Sequence, residues 1–197
     1  MRVLIACEYS GTVRDAFLAR GHDAISCDLL ESDAKGAHHQ GDVWDMLDER
    51  WDLIVAHPPC TALTVAGNKW YGEGQARYSE RLSSAKWTED LWLRCLNVAD
   101  RVAFENPVGV LARLTCLPKA HFTQPYLHGH MEQKKTGFHL YNLPPLTPTD
   151  NVYDEMMKLP KNVRERLHYL PPSPDRWKIR STTFTGIAAA IAEQWSL

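Results

Sequence analysis

"RVLIACEYSGTVRDAFLARGH" (2–22) decides the architecture. RVLIAC (2–7) is a continuous apolar run of strand length, the mark of a strand covered on both sides. EYSGTV (8–13) follows as a turn. RDAFLARGH (14–22) then carries apolar residues at helical spacing, with Gly21 as a stop. Strand, turn and helix in that order are the unit from which parallel sheets are built.

The unit recurs downstream. DAISCD (23–28) reads as a second strand, and GDVWDMLDER (41–50) as a turn and short helix. WDLIVAH (51–57) reads as a third strand that stops at two prolines. A long amphipathic helix is expected over 75–99, with Leu82, Leu91, Leu93 and Leu96 among its apolar positions. RVAFEN (101–106) is a fourth strand. HFTQPYLHGHMEQKKTGFHLYNLPPLTPTD (121–150) is compatible with an antiparallel hairpin at one edge and a proline-rich exit. Residues 151–181 mix a short helix with turns, and FTGIAAAIAEQW (184–195) is a small-residue helix. The expected fold is α/β: a mostly parallel sheet with helices on both faces and an antiparallel hairpin at one edge. It forms a single domain over 1–197, with a short irregular insertion at about 150–180.

Bulk properties narrow the class. The 197 residues are 44% hydrophobic and 23% charged, as expected of a soluble globular chain with one core. No apolar run approaches the roughly 20 residues of a membrane span, and Glu8 interrupts the N-terminal apolar stretch too early for a secretory signal. A cytoplasmic location is expected, with no membrane. Five cysteines without CxxC spacing argue against disulfides and structural zinc. His38–His39 and the pair His128 and His130 lack placed partners, so no metal site is expected. The net charge of −2 excludes a strongly basic nucleic-acid binder but leaves room for a local patch.

Ligands of open α/β sheets bind beyond the carboxyl ends of the strands. Polar clusters fall at those ends: Glu8 to Gly11, Asp28, His57 to Cys60, and Glu105 with Asn106. Gly11 allows a ligand close to the backbone, and the helix that follows offers free N–H groups to an anion; the plain alternative is a tight turn. Asp28 suits a ribose and Asp42 an adenine amino group, or each is a cap or turn residue. AHPPCTAL (56–63) places Cys60 after two prolines that stiffen the strand exit. A buried cysteine needs no such neighbourhood; a nucleophile held by an electropositive pocket does. Glu105, at the end of the next strand, is placed to hydrogen-bond or protonate a ring nitrogen while sulfur attacks a ring carbon, and burial favours its protonated form.

These motifs resemble those of the DNA cytosine-5 methyltransferases, in particular a very small phage or prophage type. The resemblance covers most of 3–142 and returns at 181–195. EYSGTV resembles the family's Phe-x-Gly-x-Gly cofactor loop, with Tyr9 for Phe, Gly11 kept and Val13 for the second glycine. It implies S-adenosylmethionine bound by Tyr9, Ser10, Gly11, Asp28, Leu29, Asp42, Val43 and Pro58. HPPCTALT (57–64) resembles the Pro-Cys motif, so Cys60 takes the nucleophile's position. FENPVG (104–109) resembles Glu-Asn-Val, with Glu105 gripping cytosine N3 and its amino group, beside Asn106. Residues 182–195 resemble the last motif, a helix that packs back on the cofactor loop.

Two departures are visible. Gln-x-Arg-x-Arg is not met, and Gln133, Lys134 and Lys135 of EQKKTG stand in its place. The long target-recognition region is reduced to about 150–180, so a protein partner or homodimer is one source of recognition. Lys161, Arg164, Arg166, Arg176, Lys178 and Arg180, with Tyr169 and Trp177 between them, suit a phosphate backbone and stacked bases, or are solvated surface charges. The expected activity is methyl transfer to cytosine C5 in DNA through a covalent Cys60 adduct. Alternatives are C5 modification of a free cytosine nucleotide, transfer of a modified alkyl group, and an idle homologue that binds DNA or cofactor.

Overall fold

The computed structural model describes residues 1–196. Seven strands form one sheet in the order β3-β2-β1-β4-β5-β7-β6. They are β1 (Arg2–Ala6), β2 (Asp23–Asp28), β3 (His38–Gln40), β4 (Trp51–Ala56), β5 (Ala99–Pro107), β6 (His121–Thr123) and β7 (Thr136–Tyr141). The strands from β3 through β5 pair in parallel; β7 runs antiparallel to both β5 and β6. Strand order reverses between β1 and β4, which makes that pair the switch point of a doubly wound sheet. The expected α/β architecture, hairpin edge included, is the one observed.

Helices cover both faces. On one, α3 (Tyr78–Val98) lays Ala85, Leu91, Trp92, Cys95 and Val98 over Leu4, Ile54, Val102 and Phe104. On the other, α1 (Thr12–Ala19) and α9 (Thr185–Gln194) bring Val13, Phe17, Ile187, Ala188 and Ile191 against Val3, Ile5, Leu53, Val55 and Ala103. Gly186 lets α9 dock: a Cβ there would lie 1.9 Å from the carbonyl oxygen of His128. The other helices are short: α2 (Asn68–Tyr71), α4 (Leu111–Leu114), α5 (Tyr153–Met157), α6 (Lys161–Arg164), α7 (Arg166–Tyr169) and α8 (Arg176–Ser181). The last four occupy the region expected to be irregular.

Some expectations are corrected. The long helix starts at Tyr78, and its buried stripe includes Arg81 and Thr88, whereas Leu82 and Leu93 face solvent. The short helix expected within 41–50 is the 3-10 turn Val43–Met46. β3 was not expected, because His-His-Gln has no apolar signature; His38 earns its place by bridging the Ser26 hydroxyl and the Leu30 carbonyl. No described helix is long and apolar enough to cross a membrane.

Candidate active site

The carboxyl edge of the sheet has two ends, one around β1 and β2 and the other around β4 and β5.

At the first end, the chain satisfies itself. Glu8 is buried, and its carboxylate accepts from Val13 N at 2.7 Å, Arg14 N at 3.3 Å and the Ser10 hydroxyl. It caps α1, so the free N–H groups expected to receive an anionic ligand are already taken. The space beside Gly11 is also filled. A Cβ there would lie 2.4 Å from an Arg14 nitrogen, and φ is +72°, which favours glycine. Gly11 thus makes room for Arg14. The Arg14 guanidinium, fully buried, donates to Ser26, Ser32 and the carbonyls of Ala34 and Lys35, fastening the loop that follows β2.

Beyond that loop the acids converge. Asp28 and Asp42 both bear electrostatically on the Cys7 thiol, which burial, above all, pushes well above its ordinary range. Asp28 accepts from Leu30 N at 3.0 Å, and Asp42 caps its 3-10 turn through Trp44 N. Each therefore serves as a turn or cap residue. Leu29 beside them is 73% exposed, while Val43 is buried. Two carboxylates, which can accept from ribose hydroxyls and an adenine amino group, next to an exposed apolar side chain fit a nucleoside. Tyr9 is covered: its hydroxyl donates to the Lys178 carbonyl at 3.1 Å, and its ring lies 5.6 Å from that of Trp177. Ser10 bonds Glu8 and Thr12.

At the second end, β4 runs into His57, the buried Pro58, the exposed Pro59 and the half-buried Cys60. Arg81 of α3, 1% exposed, organises the residues that follow. It donates to the carbonyls of Ala62 and Thr64 and to the Asn68 side chain at 2.7, 3.1 and 2.8 Å. Sequence reasoning missed Arg81, because a charged residue within an amphipathic helix reads as solvated.

Cys60, Glu105 and Lys134, from three separate segments, bear on one another. Burial, then the Glu105 carboxylate, push the Cys60 thiol up; Lys134, a backbone hydrogen bond at Cys60 and Arg180 act in the other direction and are outweighed. Two cations thus face the sulfur, but burial and the carboxylate outweigh them and the group is a thiol. Burial is also the largest influence on Glu105 and acts to raise it. It is overcome by the neighbouring His57 and then by the charge of Lys134, which hold the carboxyl below its ordinary range. The expectation of a protonated glutamate is thereby corrected. His57, also not anticipated, sets its Nδ1 3.7 Å from Glu105 Oε2, and its buried Nε2 has no partner. Lys134 Nζ donates to the Arg180 carbonyl at 2.7 Å, and burial lowers its titration. Asn106 is buried, with both amide atoms unpartnered.

The remaining expected residues are more dispersed. Gln133 is tied through its N–H to the Arg164 carbonyl, and Lys135 is exposed with its Nζ 4.5 Å from the Phe122 ring centroid. Arg176 donates to the Leu170 carbonyl, Arg164 to that of Leu159, Arg166 pairs with Glu132, Lys178 with Asp33 and Lys161 with Glu165. Arg180 is exposed. Much of the expected basic patch is thus engaged with the chain's own groups. Among the described residues no cluster of three or more His, Cys, Asp or Glu has the geometry of a metal site.

The sequence matches no protein-family model and no curated protein. The fold is similar to a crystal structure of an E. coli protein, encoded within a prophage and described there only as a candidate DNA modification methyltransferase. Identity is 13% and the TM-score 0.46, over 88% of this chain and 56% of that one. So distant a likeness says nothing of what this chain does. The chain spans just over half the length of that protein.

Proposed function

We propose that the protein is an S-adenosylmethionine-dependent methyltransferase that acts on C5 of cytosine in DNA, with Cys60 as covalent nucleophile. The observation that carries the reading is the convergence of Cys60, Glu105 and Lys134 at the carboxyl edge beside the switch point. Asp28, Leu29, Asp42, Val43 and Pro58, with the Tyr9–Ser10–Gly11 turn behind them, would hold the adenosyl half of the cofactor. When bound, S-adenosylmethionine supplies an electrophilic methyl group.

The residues of the chain do the rest. The resting pair is a thiol at Cys60 and a carboxylate at Glu105; the reacting pair is a thiolate and a carboxylic acid, one proton apart. Moving that proton from sulfur to Glu105 arms both groups at once. The thiolate adds to C6 of the base, and protonated Glu105 hydrogen-bonds N3, drawing the displaced electron pair into the ring so that C5 becomes nucleophilic. After transfer, C5 gives its proton to water, the ring expels Cys60 as a thiolate, and Glu105 returns its proton to the sulfur. Lys134 stabilises the thiolate, and Gln133 lines the approach. A cytosine within a duplex must first be flipped out. Recognition by Lys135, Arg176 and Arg180 goes to phosphates and does not read sequence, so a partner protein or second copy would supply target choice.

A second reading, C5 modification of a free cytosine nucleotide, is favoured by the self-engagement of the basic residues at 161–180. Labelled S-adenosylmethionine offered with duplex, single strand, RNA and dCMP separates the two. Transfer to DNA supports the first reading, transfer to dCMP alone the second, and none at all an idle homologue. DNA carrying 5-fluorocytosine should trap a covalent adduct, because the C5 position then has no proton to lose. The same adduct with Cys60→Ala would rule out the assignment.

A further inference from the structure

Successive side chains of β5 point to opposite faces, so Asn106 shares the α3 face with Phe104 and points away from Glu105. On that face a groove of about 260 Å³ opens between α4 and the β6–β7 edge, lined by Asn106, Gly109, Leu111, Lys119, Phe122 and His139. Its volume accommodates a purine ring.

The floor of the groove has an unmet demand. Asn106 is 1% exposed, and neither Nδ2 nor Oδ1 has a hydrogen-bond partner. Buried amides in folded proteins are nearly always satisfied. The terminal torsion of asparagine is broad, so a small rotation turns donor and acceptor toward the groove. The wall offers a third polar atom. His139 Nδ1 lies 2.6 Å from the Pro118 carbonyl, which can only accept, so that nitrogen carries the proton. Burial keeps the ring neutral, leaving Nε2 as an acceptor. Phe122 adds an aromatic ring that is 45% exposed, and Lys119 and Lys135 place cations at the rim.

We propose that this groove binds the adenine base of a nucleotide, with the unpartnered Asn106 amide meeting the N6 amino group and N7, His139 Nε2 taking the second N6 hydrogen, and the rim lysines facing phosphate. The donor–acceptor pair of an asparagine amide matches that edge of adenine. Guanine presents two acceptors there and leaves Asn106 Oδ1 and His139 Nε2 facing oxygen. Aromatic side chains beside such groups are the usual platform for a base.

Photolabelling with 2-azidoadenosine 5′-monophosphate, with saturating S-adenosylhomocysteine and adducts mapped by mass spectrometry, tests the site without requiring methyl transfer. The expected adduct lies on the groove lining, is displaced by AMP and resists GMP. Phe122→Ala lowers it roughly tenfold. Asn106→Leu, which replaces an unpaired amide by a side chain of similar size, abolishes it while the protein unfolds at no lower denaturant concentration. A single-stranded oligonucleotide carrying the same azidoadenine identifies the source. Labelling by the strand assigns a base of the nucleic acid, and labelling by AMP alone assigns a free nucleotide; either supports the groove. Adducts confined to residues 28–43, no adduct above a denatured control, or unchanged labelling of both variants overturns it.

Discussion

The two ends of the sheet's carboxyl edge are built from similar parts to different effect. Each has a loop after a parallel strand, and each loop is held by a buried arginine, Arg14 at the β1–β2 end and Arg81 at the β4–β5 end. At the first end, the buried groups answer one another: Glu8 caps α1, and the hydrogens of Arg14 find hydroxyl and carbonyl oxygens. At the second end, His57 Nε2 and both amide atoms of Asn106 have no partner, and Cys60 and Glu105 are driven from their ordinary titration in opposite directions. A saturated network is a structural device. A buried network with unfilled positions costs stability unless something else fills them. The β4–β5 end is therefore where the chain gives up stability, as reacting sites do.

The largest expected effect falls on the saturated end. Arg14→Ala strips several buried oxygens of their partner and, at about 1–3 kcal/mol for each left unpaired, should destabilise the fold by about 3–5 kcal/mol in denaturant titration. A loss under about 1 kcal/mol would show that its hydrogen bonds are ornamental. Arg81→Ala should separate stability from chemistry. With the 62–68 segment freed, we expect roughly a hundredfold slower trapping of 5-fluorocytosine DNA, the scale on which misplacement of a reacting group acts, with a smaller loss of stability than for Arg14→Ala. Equal trapping by the variant and the parent would remove Arg81 from the site. His57→Leu deletes an orphaned nitrogen but also the group that faces the Glu105 carboxylate, so a loss of about 1–3 kcal/mol is expected. Its more telling effect is on Glu105, which loses its first counterweight to burial and should titrate higher, as read from the carboxyl carbon by NMR. The smallest effect concerns Cys60. Burial raises its thiol, so iodoacetamide labelling should accelerate as pH rises above the ordinary thiol range. Lys134→Met removes a cation that favours the thiolate and should move the curve to still higher pH. A shift to lower pH would mean that Lys134 does not face the sulfur.

What was legible in the sequence follows from the same contrast. β1 and β4 announce themselves because strands buried on both faces carry continuous apolar runs, and their polar ends mark the carboxyl edge. Cys60, Glu105 and Lys134 could be nominated from local motifs. Arg14 and Arg81 could not, because their partners lie in loops whose approach depends on the finished fold. The ion pairs of the basic segment were hidden for a related reason: Lys178 pairs with Asp33, 145 residues away, and no local pattern reveals such a partner. β3 lacked any signal, since polar residues hold it in place.

The packing of α9 on α1 has a consequence for the chain as it is made. Val13 and Phe17 of α1, together with Val3, Ile5 and Val55, are sealed by Ile187, Ala188 and Ile191. During synthesis, the first βα unit emerges early but cannot close that face until residues 185–194 have left the ribosome, some ten to thirty seconds later at ordinary elongation rates. For that interval a broad apolar surface stands open. The nascent chain should therefore be a client for chaperones, and stalling translation before Thr185 should leave α1 accessible to protease.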